Sequence, residues 1–105
     1  MRGASKMEIK KEKNGTELTM TLSGRLDTIA AVDFEKELEA SLDNVTLLIL
    51  DCTELSYVAS SGLRIFLRAQ KRMKAQGKLI VRHVQDSVME IFSMTGFDEL
   101  LQIEN

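Results

Sequence analysis

The amino-acid sequence predicts a single α/β domain in which a mixed β-sheet packs against helices. The chain has 105 residues, of which 44% are hydrophobic, and this suffices for one modest core. Segments with the two-residue period of strands alternate with segments of helical period, which indicates right-handed crossovers in a layered domain. A continuous apolar run at residues 45–50 is typical of a strand inside a partly parallel sheet.

The first two strands are predicted to form an antiparallel pair. Residues 7–11 and 18–22 alternate apolar and polar side chains, as half-buried strands do. Asn14 and Gly15 lie between them, and this dipeptide favours a hairpin because both central residues of a type I′ turn need positive φ. The spacing suggests a loop longer than two residues.

A helix and a buried strand are predicted next. Apolar residues recur at helical spacing from 31 to 42, and Asp27 or Thr28 can cap this helix. The apolar run at 45–50 suits a strand that helices cover on both faces.

The second helix is predicted to begin at Ser60 or Ser61, one of which serves as its N-cap. It runs to about residue 76 and ends at Gly77, a residue that suits the left-handed position after a helix. Its predicted inward stripe consists of Leu63, Phe66, Leu67, Gln70 and Met73.

The remaining elements are a strand, a helix and a short end segment. Residues 78–84 are rich in β-branched side chains, as strands are. Ser87 and Glu90 form a capping box for a helix that runs to Gly96. Residues 100–103 either form a short last strand or close the core, so the predicted order is β-β-α-β-α-β-α with that optional strand.

Composition excludes several classes of function. The chain has 16 acidic and 14 basic residues, and a net charge of −2 gives no electrostatic basis for binding nucleic acid. Cys52 is the only cysteine, so no disulfide forms within the chain. No apolar run reaches the roughly 20 residues of a membrane helix. We therefore expect a soluble, cytoplasmic protein that is monomeric when free, with residues 1–6 as a disordered or vector-derived tail.

The connection at residues 51–63 holds the candidate functional group. Ser60, Ser61 and Gly62 stand where the second helix begins, and a hydroxyl there can cap the helix, act as a nucleophile or accept a phosphoryl group. A nucleophile needs a base, but the one histidine, His83, lies inside a predicted strand, and no G-x-S-x-G elbow is present. One histidine and one cysteine cannot form a structural zinc site, and no nucleotide-binding loop occurs, so no cofactor is expected.

A phosphorylation switch fits these residues better than catalysis does. One serine suffices to cap the helix, which leaves the other exposed at a positively polarised helix end. A phosphate there would bring a charge of roughly −2 to a docking surface, so a partner would be repelled while the fold survives. On the outer side of the helix Arg64, Arg68 and Arg72 recur four residues apart, and Ile65 lies among them as a predicted exposed contact.

These residues also carry a resemblance to a known family. The segments LSGRLD at 22–27, LLILD at 47–51, LSYVASSGL at 55–63 and IFSMTGF at 91–97 are similar, in this order, to motifs of the STAS domains. The resemblance covers nearly the whole chain and is closest to the small stand-alone anti-sigma-factor antagonists of bacteria. It implies one STAS domain over residues 1–105.

The resemblance implies a binding protein rather than an enzyme. Such antagonists bind an anti-sigma factor that is also a serine kinase of the histidine-kinase-like ATPase fold, and so free the sigma factor. The kinase phosphorylates the serine matched by Ser60, which breaks the complex, and a metal-dependent PPM-type serine phosphatase restores binding. ATP and metal belong to these partners. The predicted partner-binding residues are Asp27, Thr28, Ser61, Gly62, Leu63, Arg64 and Ile65.

Two other hypotheses stay open at this point. One is a STAS adaptor that is not phosphorylated and rests on an ATPase or transport complex through the same surface; the other is a hydrolase that uses Ser60. The chain also departs from the family pattern. Ala59 stands where aspartate is frequent, Arg25 replaces a glutamate, and Arg64 and Arg68 stand where some members have glycines.

Overall fold

The computed structural model describes residues 7–105, and the expected tail at residues 1–6 lies outside the described residues. The predicted order of elements is confirmed, with the addition of a short helix, α4, that the sequence pattern did not predict. The strands are β1 (Glu8–Asn14), β2 (Glu17–Leu26), β3 (Leu47–Val58), β4 (Lys78–Arg82) and β5 (Ile103–Glu104). The helices are α1 (Thr28–Ser41), α2 (Ser60–Gln76), α3 (Asp86–Thr95) and α4 (Phe97–Leu100).

The strands form one five-stranded sheet in the order β1-β2-β3-β4-β5. β1 and β2 are antiparallel, and all the other neighbours are parallel. Because Asn14 pairs with Glu17, the hairpin loop holds only Gly15 and Thr16 and is shorter than predicted. Gly15 takes the positive φ, at 65°, whereas Asn14 stays in the strand.

The helices lie on one face of the sheet. Crossover connections between parallel strands are right-handed, so strands that follow one another in order place their helices on the same side. Phe34 of α1, Phe66 of α2 and Phe92 of α3 accordingly form one aromatic row, with ring centroids 5.7 and 5.6 Å apart. The expectation that helices cover both faces of β3 is wrong: Leu48 belongs to the core beneath the helices, whereas Ile49 alternates to the opposite face.

Helix α2 is rotated relative to its predicted orientation. Leu67 and Gln70 are half-buried rather than central to the core. Its buried residues are Gly62, Leu63, Ile65, Phe66, Ala69 and Met73. Helix α1 lies alongside α2 and covers Ile65, which the apolar pattern had assigned to solvent.

Gly77 ends helix α2 for a different reason from the predicted one. Its φ is 169°, which is extended backbone that any residue adopts. A Cβ at this position would lie 1.9 Å from the carbonyl oxygen of Thr46, so the glycine permits a close approach of two backbones. Gly96, by contrast, ends α3 with a φ of 80°, the left-handed conformation typical of helix C-termini.

The segment between β4 and α3 also differs from prediction. The capping box is wrong, because α3 follows Gln85 without a side-chain cap and the Ser87 hydroxyl donates instead to the carbonyl of Ser56 at 3.2 Å. His83 lies just beyond β4 with a φ of 60°, not inside a strand, since the chain leaves the sheet after Arg82.

No helix within residues 7–105 is long and apolar enough to cross a membrane.

Candidate functional site

The candidate site lies where β2 and β3 end side by side. Leu26 pairs with Val58 at the last position of both strands, and the backbone N–H of Ala59 donates to the carbonyl of Leu26 at 2.8 Å. Because α1 and α2 begin directly after these strand ends, their first turns are neighbours. The Ser61 Oγ lies 3.4 Å from the Thr28 Oγ1, which joins the two helix starts.

The two helix starts differ in how they are capped. The Asp27 carboxylate accepts a hydrogen bond from the backbone N–H of Ala30 at 2.8 Å, so Asp27 caps α1, one of the two predicted candidates. The N-cap of α2 is Ala59, which has no polar side-chain atom to offer. The prediction that Ser60 or Ser61 caps α2 is wrong, because the chain enters the helix directly after β3 and the cap position falls one residue earlier.

Ser60 therefore occupies the first helical position of α2 with an exposed side chain. Among the hydrogen bonds of residues 7–105, the neighbouring Ser61 hydroxyl contacts Thr28, and none involves the Ser60 hydroxyl. The first backbone N–H groups of a helix lack intrahelical partners and carry partial positive charge. An anionic group attached to the Ser60 oxygen would consequently meet a favourable electrostatic environment.

The structure does not bring the histidine to Ser60. The Nδ1 of His83 lies 3.5 Å from Asp51 Oδ1, beside the last paired position of β3 and β4. Ser60 follows the far end of β3, so about 20 Å of strand separates the two groups at a rise of roughly 3.3 Å per residue. Within the described part of the chain, no three His, Cys, Asp or Glu residues are grouped to hold a metal ion.

Two ionisable groups of β3 have shifted pKa values, and neither forms a site. Burial alone raises the pKa of Asp51, but hydrogen bonds from the hydroxyl and N–H of Thr53, helped by His83, outweigh it and leave that pKa below its usual value. Burial raises the pKa of the Cys52 thiol to about 12. Cys52 is therefore a protonated residue of the core, where a free cysteine acts as a small apolar side chain.

Part of the predicted docking set lies beneath the surface. Ile65 was expected to be exposed, and this is wrong, because its side chain is only 5% exposed and packs under α1. Gly62 and Leu63 are also buried. A Cβ on Gly62 would lie 2.7 Å from the Cγ of Leu26, so the glycine lets the first turn of α2 sit close to β2. The predicted partner-binding residues that reach the surface are Asp27, Thr28, Ser61 and Arg64.

The arginines of α2 are not equivalent. Arg68 pairs with Glu35 of α1, and Arg72 pairs with Asp43 at 3.0 Å. Arg64 is exposed and has no ion-pair partner among residues 7–105. The evenly spaced basic row that the sequence suggests thus contains one unpaired cation, and it is the one nearest Ser60.

The first turn of α1 adds two residues that the sequence analysis missed. Ile29 is 79% exposed and Val32 is 52% exposed, although both are large and apolar. They lie one turn apart on the same side of α1. Their position off the predicted apolar stripe of this helix was the signal that could have identified them, because an apolar residue outside the core-facing stripe is left to solvent.

Arg25 adds a further cation near the strand ends. Its guanidinium carbon lies 4.3 Å from the centre of the Tyr57 ring, a cation–π distance. The two residues are paired in the β2–β3 ladder one position before Leu26 and Val58. The arginine that departs from the family pattern is therefore held in place by stacking at the base of the site.

Comparison with known proteins identifies the family. The STAS domain profile matches residues 8–105. The chain is 28% identical over 97 residues to the anti-sigma-B factor antagonist of Listeria monocytogenes, an alignment that covers 90% of this chain and 85% of the relative. It is 30% identical over 101 residues to BtrV of Bordetella bronchiseptica, assigned as an anti-sigma factor antagonist, with 94% and 87% of the two chains covered. The chain belongs to the STAS domain family.

Solved structures share the fold. An anti-sigma factor antagonist from Mycobacterium paratuberculosis superposes with a TM-score of 0.86 at 17% identity, over 99% of this chain and 90% of that one. SpoIIAA, a cell fate determinant of Bacillus, has been solved in an unphosphorylated form (TM-score 0.81, 93% and 89% covered) and in a phosphorylated form (0.73, 93% and 92% covered), both at 20% identity. These likenesses establish the STAS architecture of the chain.

Proposed function

We propose that this protein is an anti-sigma-factor antagonist whose binding is switched off by phosphorylation of Ser60. The observation that carries the proposal is the exposed Ser60 hydroxyl, free of hydrogen bonds within the described chain, at the uncapped start of α2. The names of the Listeria and Bordetella relatives support the antagonist function. The two forms of SpoIIAA support the idea that this fold carries a phosphate without losing its architecture.

In the unphosphorylated state, the surface around the two helix starts binds an anti-sigma factor and thereby releases the sigma factor. The anti-sigma factor is itself a serine kinase of the histidine-kinase-like ATPase fold. It transfers the γ-phosphoryl group of ATP to the Ser60 oxygen, with loss of the hydroxyl proton and release of ADP. A PPM-type phosphatase hydrolyses the phosphoserine and restores binding. ATP and the metal ions are bound by these partners, and the chain itself acts only by binding.

The switch works through charge rather than through unfolding. A phosphoserine adds a charge of about −2 at neutral pH, which must be stripped of water when a partner covers it. No bond that holds the fold is broken, because the Ser60 hydroxyl is not part of a helix cap. The partner complex is consequently weakened while the domain stays folded.

The proposal is tested by incubating the chain with each histidine-kinase-like anti-sigma factor of the source organism and ATP, followed by intact-mass measurement. We expect one phosphate on the wild-type chain and on Ser61→Ala, and none on Ser60→Ala. Phosphate on Ser61 instead would refute the site. Stable binding to an ATPase without any phosphate transfer would favour the unphosphorylated adaptor.

A further inference from the structure

We infer that Ile29, Val32 and Arg64 form a second part of the docking surface, which fits an apolar side chain next to a carboxylate on the anti-sigma factor. This inference rests on the proposed function, because it extends the surface that surrounds Ser60. We call these three residues the apolar–basic patch. Its apolar half lies on α1, and its cation lies on α2.

The apolar half of the patch lies outside the hydrophobic core of the described residues. The core contacts of α1 come from its buried residues, which are at most 8% exposed: Ala30, Ala31, Phe34 and Leu38. Ile29 and Val32 point away from that core, with 79% and 52% of their surface in water. Two large apolar side chains held side by side on one helix turn are a surface that association would bury.

A groove of about 180 Å³ runs between the two helices; Val32 and Arg64 of the patch line it, whereas Ile29 lies outside its lining. Thr28 and Val32 line it from α1, and Ser61 and Arg64 line it from α2, with the Glu35–Arg68 ion pair at its far end. Its volume is below the roughly 300 Å³ of small-molecule sites. The groove therefore suits one inserted side chain of a protein partner rather than a metabolite.

The charge at the groove indicates what that partner carries. Arg64 has no ion-pair partner in residues 7–105, and the Asp27 carboxylate, which caps α1, does not line the groove. Of the charged residues that line the groove, Glu35 and Arg68 pair with each other, so Arg64 is the lining charge without an ion-pair partner in residues 7–105, and a carboxylate is its matching group.

The patch is continuous with the Ser60 site, and this identifies its occupant. The contact between the Ser61 and Thr28 hydroxyls places the first turn of α1 against the first turn of α2. A protein that covers Ile29 therefore also reaches the helix start that holds Ser60. A second copy of this chain seated there would block the kinase from Ser60, so the anti-sigma factor is the occupant that agrees with the proposed switch.

The test places a photo-crosslinking residue, p-benzoylphenylalanine, at Ile29, at Ser61 and at Met94 in three full-length variants expressed in the source cell. Met94 is a matched control, since it is an apolar side chain that is 80% exposed on α3. After irradiation, mass spectrometry identifies what each position captures. We expect Ile29 and Ser61 to capture the same histidine-kinase-like anti-sigma factor, and Met94 not to capture it.

Each other outcome overturns the inference in a distinguishable way. Capture of the anti-sigma factor at Ser61 but not at Ile29 would reject the patch as part of the docking surface and leave the proposed function intact. Failure to capture it at any position would reject both. Crosslinks between copies of this chain at Ile29 would show that a second copy, and not the anti-sigma factor, covers the patch.

The affinity of the captured anti-sigma factor, once purified, then measures the contribution of the patch. Ile29→Ser and Arg64→Glu should each weaken binding about tenfold or more, as central interface residues do, while Met94→Ser leaves it unchanged. Circular dichroism verifies that each variant is folded. Equal affinity of all three variants and the wild type would overturn the inference even after a positive crosslink.

Discussion

The starts of α1 and α2 are neighbours in space, follow neighbouring strands and differ in one respect. The α1 start is closed by the Asp27 side chain, which satisfies the backbone N–H of Ala30. The α2 start has two serines within reach, yet its cap residue is Ala59. A hydroxyl that caps a helix is hydrogen-bonded to the backbone, whereas the Ser60 hydroxyl makes no such bond and is accessible to modification. The proposed switch requires this difference, because a phosphate on Ser60 would leave the capping of both helices unchanged.

The largest expected effect is at Gly62, which allows the first turn of α2 to lie close to β2. Gly62→Val places side-chain carbons where a Cβ alone would already lie 2.7 Å from the Cγ of Leu26 and 3.1 Å from Val58. Both neighbours are buried, so they cannot move aside freely. We expect a loss of about 3 kcal/mol in the free energy of unfolding, measured by urea denaturation. Lys71→Val, at an exposed position of the same helix, should lose only about 0.5 kcal/mol.

The next effect tests the cap of α1. Asp27→Ala removes the acceptor for the Ala30 N–H and should lower the free energy of unfolding by about 1 kcal/mol. Asp27→Asn is the matched control, because asparagine caps helices about as well as aspartate does. An equal loss in both variants would show that the negative charge of Asp27, and not its hydrogen bond, stabilises the helix start.

A smaller effect is expected at the α2 start. Ser60→Ala should change the free energy of unfolding by no more than about 0.5 kcal/mol, as a surface substitution away from a cap does. The same denaturation experiment that measures Asp27→Ala supplies the comparison. A loss of about 1 kcal/mol in Ser60→Ala would mean that the hydroxyl caps α2 in solution, and the contrast between the two helix starts would disappear.

Much of this architecture can be predicted from the sequence, because the spacing of apolar residues shows which face of a helix or strand is apolar. The alternation in β2, the buried run in β3 and the helical spacing in α1 each gave the correct element in the correct order. The STAS motifs then located the candidate serine. Asp27 was recognised as one of two candidate caps because its position immediately precedes a clear helical pattern.

The error in the orientation of α2 has a physical origin, which is that small side chains give no apolar signal. Gly62 and Ala69 lie on the buried face of α2 because their size allows close packing, but the pattern counted Leu67 and Gln70 instead. The predicted helix was therefore rotated, and Ile65 was placed on the surface. The cap of α2 was missed for a different reason. The position of the cap depends on the residue at which β3 ends. An error of one residue in that position makes Ser60 the cap instead of the first helical residue.

The smallest expected effect is on the second pKa of a phosphate on Ser60, which Arg64 should lower and Arg68 should not. With phosphoserine incorporated at position 60 during translation, the phosphate lies four residues before Arg64 on the same side of α2. Arginine side chains on a helix lean toward its N-terminus, so the guanidinium reaches the phosphate and favours its dianionic form. The second phosphate pKa, ordinarily about 6, should therefore be lower in the wild-type chain than in Arg64→Gln, by about a few tenths of a unit.

Phosphorus NMR as a function of pH measures this phosphate pKa directly and needs neither kinase nor partner. Arg68→Gln is the matched control, because Arg68 lies a further turn away and is already paired with Glu35. We expect the phosphate pKa to be unchanged in that variant, and the difference caused by Arg64 to shrink as salt is added. A phosphate pKa that is the same with and without Arg64 would show that the guanidinium stays in solvent. Phosphorylation would then weaken the partner complex through its own charge alone, without also drawing Arg64 away from a partner carboxylate.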